Sequence, residues 1–124
     1  MTSGCSTGYA ALGTHTATVL INGVEIGERL PVRCEQVEWT WRIETLESAP
    51  GFVAQIQTGD SIIARGVQIE ELGGFTGSYW AGTVGQADAD ISDGTFRITG
   101  SAEGYYHHDP SEDATADFVI RTDC

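Results

Sequence analysis

The 124-residue sequence predicts an all-β domain, an antiparallel sandwich or open barrel of about 7–9 short strands with at most one short helix. Three observations carry that class. Turn signals recur along the chain at Asn22-Gly23, Pro50-Gly51, Gly59-Asp60, Gly73-Gly74 and Asp93-Gly94. The segments between them alternate apolar and polar residues with a period of two. Glycine is abundant, at 16 residues, and with the β-branched residues it interrupts almost every window a helix would need.

Residues 1–16 are small and polar without sustained periodicity and read as an N-terminal tether, with a single β domain over residues 17–124. The domain opens on a hairpin, Thr18 to Ile26, whose Asn22-Gly23 pair suits a type I′ turn. A long strand-like run follows. Val32 and Cys34 share one parity, whereas Val37, Trp39, Trp41 and Ile43 share the other, so a bulge is expected at Glu35-Gln36. The parity of Trp39 and Trp41 points both side chains to the core. Phe52, Ala54 and Ile56 form the next strand, then Val67 to Glu70 and Phe75 to Trp80 about Gly73-Gly74. Ala87, Ala89 and Ile91 alternate with aspartates and lead through Asp93-Gly94 into Thr95 to Ala102.

The polar stretch Gly104 to Asp113, which contains Pro110, reads as a loop, and Ser111 to Ala116 is the best candidate for one helical turn. In the last strand Ala114, Ala116, Phe118, Ile120, Thr122 and Cys124 share a face, opposite Asp117, Arg121 and Asp123.

The formal net charge is −12, lysine is absent and all six cations are arginine. Such a surface cannot neutralise a phosphate backbone, which excludes nucleic acid as a partner. It is also repelled by anionic headgroups, so any membrane association has to come from an anchor. No run of about 18 apolar residues is present to form a spanning helix.

The three cysteines are the most informative residues. An odd number suits one disulfide and one further thiol. Cys34 and Cys124 both take the parity of the apolar face, as an internal disulfide requires, and a bond between them would close nearly the whole domain. Spacing does not exclude a Cys5–Cys34 pairing, should Cys5 be unmodified. Cys5, in Thr2-Ser3-Gly4-Cys5, has the setting of a bacterial lipoprotein attachment site. No charged and apolar leader precedes it, so lipidation there implies a signal segment upstream of this chain.

Catalytic and metal readings find little support. Gly-x-Ser-x-Gly and Ser-x-x-Lys are absent, as is a glycine-rich phosphate loop leading into a helix, so no catalytic residue is assigned. His107-His108-Asp109 with Glu112 and Asp113 holds metal-capable types without the spacing of a zinc motif. Asp88, Asp90 and Asp93 begin like a calcium loop but lack its later glycine and glutamate. We therefore assign neither metal nor cofactor. Tyr105, Tyr106, His107, His108 and Trp80 are the candidates for an exposed contact patch.

Three segments carry a family resemblance: Val19-Leu20-Ile21-Asn22-Gly23 with the later Cys34, Asp93 to Gly104, and Ala116 to Cys124. In these the chain resembles the mycobacterial nineteen-kilodalton lipoprotein antigen family, from about residue 18 to the end. The resemblance implies a lipid on Cys5, a Cys34–Cys124 disulfide, display on the cell envelope and recognition by host receptors, with no catalytic residues. The expected function is thus that of an exported, lipid-anchored envelope protein with a binding or antigenic role. The competing readings are a lipid or glycolipid carrier, which needs an apolar cavity between its sheets, and, more remotely, a secreted enzyme or inhibitor domain.

Overall fold

The computed structural model describes residues 15–26 and 29–124. Cys5 and most of the expected tether lie outside the described residues. Ten strands and no helix are found among the described residues. In chain order they are β1 (His15–Ile21), β2 (Val24–Glu25), β3 (Leu30–Val37), β4 (Thr40–Thr45), β5 (Gly51–Gln57), β6 (Ile63–Leu72), β7 (Phe75–Trp80), β8 (Gln86–Ser92), β9 (Thr95–Tyr106) and β10 (Asp109–Asp123).

All pair antiparallel in one sheet, in the order β10-β9-β7-β6-β5-β4-β3-β1-β2. A further pairing of β10 with β1 returns the path on itself, giving a ring-like sheet rather than a regular barrel. The long strand β9 makes this possible by changing partners. Its first part, Thr95 to Ser101, pairs with β8, and its last part, Glu103 to Tyr106, pairs with β7.

Local sequence explains most connections. Asn22 and Gly23 both have positive φ (53° and 83°), as do Asp93 and Gly94 (53° and 80°), which matches the two-residue hairpin turns expected at those dipeptides. The expected final strand is also observed: Ala116, Phe118, Ile120 and Thr122 are buried, and Asp117, Arg121 and Asp123 are exposed.

The structure corrects the sequence reading at three places. The run around Cys34 is not one bulged strand. The chain reverses at Glu38-Trp39, with Glu38 at φ 56°, and Cys34 pairs with Ile43 and Gln36 with Trp41. The change of parity is therefore the signature of a two-residue turn rather than of a bulge at Glu35-Gln36. Trp39 consequently sits at a hairpin tip and is 65% exposed, contrary to the core position its parity implied. Trp41 is half-buried against Phe96, with ring centroids 5.2 Å apart.

The third correction concerns the stretch from Gly104 to Asp113. It is not a loop and contains no helical turn: β9 continues to Tyr106 and β10 begins at Asp109. Backbone pairing overrides local composition here, with Gly104 opposite Ala114 and Tyr106 opposite Asp109. The register shifts between these pairs, so residues 110–113 face only Tyr105. Pro110 falls in that irregularity, where the ladder needs no donor from it.

The interior is filled by one contiguous cluster that includes Phe52, Phe75, Phe118, Ile43, Ile56, Ile69, Ile98 and Ile120, each at most 2% exposed. Each such side chain contributes roughly 1.5–3 kcal/mol by leaving water. The two buried polar side chains among the described residues are satisfied. Thr45 Oγ1 accepts from the Phe52 amide at 3.0 Å, and Thr122 Oγ1 donates to the Thr16 carbonyl at 3.2 Å.

Candidate functional site

A disulfide joins Cys34 in β3 to Cys124, with Cα atoms 6.1 Å apart. Both strands flank β1, since Thr122 pairs with Ala17 and Val32 with His15. The bond thus links β3 to the chain end beyond β10 close to where β1 begins, and secures covalently the pairing that closes the ring. Of the two pairings open in the sequence, the structure contains Cys34–Cys124, and Cys5 is left as the cysteine outside the bond.

The aromatic and histidine candidates divide between the faces of one hairpin. Tyr105 stacks on His107 with centroids 5.9 Å apart, and Tyr106 stacks on His108 at 5.5 Å. Alternation of side chains along the strands separates the two pairs. Tyr106 also meets Phe75 edge to face at 5.3 Å, and its hydroxyl accepts from Asn22 Nδ2 at 2.6 Å. That leaves Tyr106 half-buried and Tyr105 more exposed. The turn is pinned from behind, because the His107 amide donates to the Gly74 carbonyl at 2.9 Å and His107 Nε2 lies 3.2 Å from Thr76 Oγ1.

Trp80 does not join this group. Tyr106 and Tyr105 pair with Phe75 and Thr76, at one end of β7, while Trp80 is at the other end beside Gly66. Its ring lies over that glycine, where a Cβ would come within 2.5 Å of Trp80 Cζ3. The five candidates therefore occupy two places, with Tyr105 and His107 at one end of the sheet and Trp80 towards the other.

An apolar group that sequence reasoning missed lies at that second end. Val37 and Trp39 are 73% and 65% exposed at the β3–β4 turn, and Ile62 and Ile63 are partly exposed in and beside the β5–β6 connection. Thr58 holds the tip: its amide and its hydroxyl both donate to the Trp39 carbonyl, at 2.6 and 3.2 Å. The signal was the change of parity between Cys34 and Val37, which marks a reversal even without glycine or asparagine.

The metal candidates do not gather. Asp88 and Asp90 are exposed on β8, opposite Thr99 and Arg97. Among the described residues no three His, Cys, Asp or Glu side chains converge as a metal site requires. One surface hollow of about 290 Å³ is lined by Arg33, Glu44 and Glu70 together with Leu46 and Phe52. Among the described residues Tyr79 is the titratable group with a clear shift. Burial raises its pKa above the ordinary 10.0, Arg65 opposes the rise and Asp88 adds to it. Its hydroxyl donates to the Ala64 carbonyl at 2.7 Å, a structural role in the core.

Comparison with known proteins gives this architecture its context. The family model described as Mycobacterium 19 kDa lipoprotein antigen matches residues 10–124. A protein with a lipoprotein designation from Mycobacterium avium subsp. hominissuis (strain TH135) is 38% identical over 121 residues, covering 97% of this chain and 83% of the relative. Another from Mycobacterium indicus pranii is 34% identical over 88% of this chain and 78% of the relative. "Probable lipoprotein LppE" of Mycobacterium tuberculosis is also 34% identical, over 87% of this chain and 77% of its own length. With the family model covering residues 10–124 and these relatives 34–38% identical over most of their length, the chain belongs to the Mycobacterium 19 kDa lipoprotein antigen family.

Proposed function

We propose that this chain is displayed on the outside of the cell membrane through a lipid on Cys5 and serves there as a binding or antigenic protein without catalysis. Membrane anchoring at the cell envelope comes with the lipoprotein family. The observation that carries the further step is the division of the cysteines. Cys34 and Cys124 are consumed by the bond that closes the ring, so Cys5 stands apart for modification. Firm anchoring requires more than one acyl chain, which a diacylglyceryl or triacylated Cys5 would supply.

The filled interior supports a binding role over carriage of a lipid within the domain, since Phe52, Phe75 and Phe118 occupy the space between the inner faces. Tyr105 and His107 form the contact surface proposed for a host receptor, standing exposed on a braced turn. Membership of a lipoprotein antigen family supports the non-catalytic reading.

Intact-mass analysis of the protein from its native host tests the anchor. An acyl adduct on the Cys5 peptide is the expected result; an unmodified Cys5 would sink the proposal.

A further inference from the structure

We propose that the β3–β4 tip, with Val37 and Trp39, is a second membrane contact that seats this end of the domain on the bilayer interface beside the anchor. The inference rests on the reading that Cys5 carries the lipid.

Register fixes where the anchor enters the domain. His15 begins β1 and pairs with Val32. Because the strands are antiparallel, β3 continues from Val32 to Val37 in the direction from which β1 arrives. The anchored arm and the Val37–Trp39 tip therefore share one end of the sheet. The β5–β6 connection joins them there, since Thr40 pairs with Gln57 and Gln57 with Ile63. Trp80 is at the same end, because β7 runs antiparallel to β6 and Trp80 pairs with Gly66.

This end gathers most of the exposed large apolar side chains of the described residues: Val37, Trp39, Ile62, Ile63 and Trp80. The opposite end carries the Asn22-Gly23, Gly73-Gly74 and His107-His108 turns, which are polar or small. Val24 and Leu46 are exposed elsewhere, but five large apolar residues collected at one end of a −12 domain mark a contact surface.

Chain length identifies that neighbour. Nine residues lie between Cys5 and His15, and the ten Cα-to-Cα steps span at most about 35 Å when fully extended. An acyl group on Cys5 thus confines the tip to the vicinity of the bilayer. Tryptophan is the side chain best suited to the interface, with an apolar body and one N–H donor. The Trp39 backbone is already held by Thr58, and its ring sits over Gly59, 3.8 Å from where a Cβ would stand. Little ordering is then required on contact. Glu35, Glu38 and Asp60 surround the tip, which suits a zwitterionic surface better than an anionic one.

The test couples the full chain through Cys5 to a maleimide-headgroup lipid in phosphatidylcholine vesicles whose acyl chains are brominated near the headgroup. Tryptophan emission of the tethered wild type should shift to the blue and be quenched relative to unbrominated vesicles. In a Val37→Ser, Trp39→Ser variant the bromine-dependent quenching should be lost. Both positions are exposed, so the variant should keep the wild-type far-ultraviolet spectrum; should it misfold, Val37→Glu alone should weaken the quenching of a folded chain. Quenching that is absent in the wild type, or equal in wild type and folded variant, overturns the proposal and leaves this end to a protein partner. Because the tether is chemical, the result is separate from the native acylation of Cys5. An unmodified Cys5 in the native host would remove the anchor reading while the vesicle result stood.

Discussion

Asn22 Nδ2 donates to the Tyr106 hydroxyl at 2.6 Å, across 84 positions of sequence. The same side chain accepts the Asp117 amide through Oδ1 at 2.9 Å, and the Asn22 amide donates to the Asp117 carbonyl at 2.8 Å. One turn residue thus ties the β1–β2 hairpin to both β9 and β10. Asparagine serves here because it tolerates the φ of 53° and its amide can donate and accept together. Asn22→Gly keeps the turn but removes both side-chain bonds, and should cost about 1–2 kcal/mol in urea unfolding. Tyr106→Phe should remove part of that cost, and the double variant should show coupling between the two residues.

The Cys34–Cys124 bond closes a segment with a sequence separation of 90. The chain-entropy account assigns a loop of that size about 4–5 kcal/mol. Reduction, or Cys34→Ser with Cys124→Ser, should lower the urea midpoint accordingly and release the β10–β1 closure first, seen as faster amide exchange at Thr122 and Ala17. Thiol labelling of denatured, unreduced protein should count one free thiol; three would mean that the bond does not form.

Tyr79 should make stability fall at alkaline pH. Its folded pKa lies above the unfolded value of about 10, chiefly because burial disfavours the phenolate. The neutral form is the one the fold stabilises, so the contribution is complete below pH 10 and is lost as the pH rises through the folded pKa. In a phenolate absorbance titration the wild type should show a component ionising above pH 10 that Tyr79→Phe lacks. Tyr79→Phe should lose about 1 kcal/mol near neutrality with its hydrogen bond, and should flatten the alkaline decline.

Phe118→Ala should cost about 3–5 kcal/mol, because Phe118 is 1% exposed and the closed ring leaves its neighbours little room to collapse. Thermal unfolding measures it directly. A loss below about 1 kcal/mol would show that the core relaxes around the gap.

Gly104 lies against β7, and a Cβ there would overlap the Thr76 carbonyl and the Gly77 Cα. Gly104→Ala should therefore separate β9 from β7 and cost about 1–3 kcal/mol, with amide protection falling at Gly77 and Glu103.

The sequence by itself determined the class of fold and much of its periphery. Asn22-Gly23 and Asp93-Gly94 named their turns because positive φ is a local property of those residues. Ala116, Phe118, Ile120 and Thr122 named their face because side chains alternate along any strand. The cysteines and the three quoted segments carried the family. What required tertiary structure was every choice made by pairing. Glu38-Trp39 became a turn without turn residues because Cys34 and Ile43 must share the inner face. Residues from Gly104 to Asp113 became strand because long neighbouring ladders outweigh a polar, proline-containing sequence. Parity assigns a face only within one strand, so it placed Trp39 in the core although the chain had already reversed. The gathering of Val37, Trp39, Ile63 and Trp80 at the end where β1 begins is likewise invisible in sequence. It follows from the antiparallel register of strands far apart in the chain, which local residue preferences do not encode.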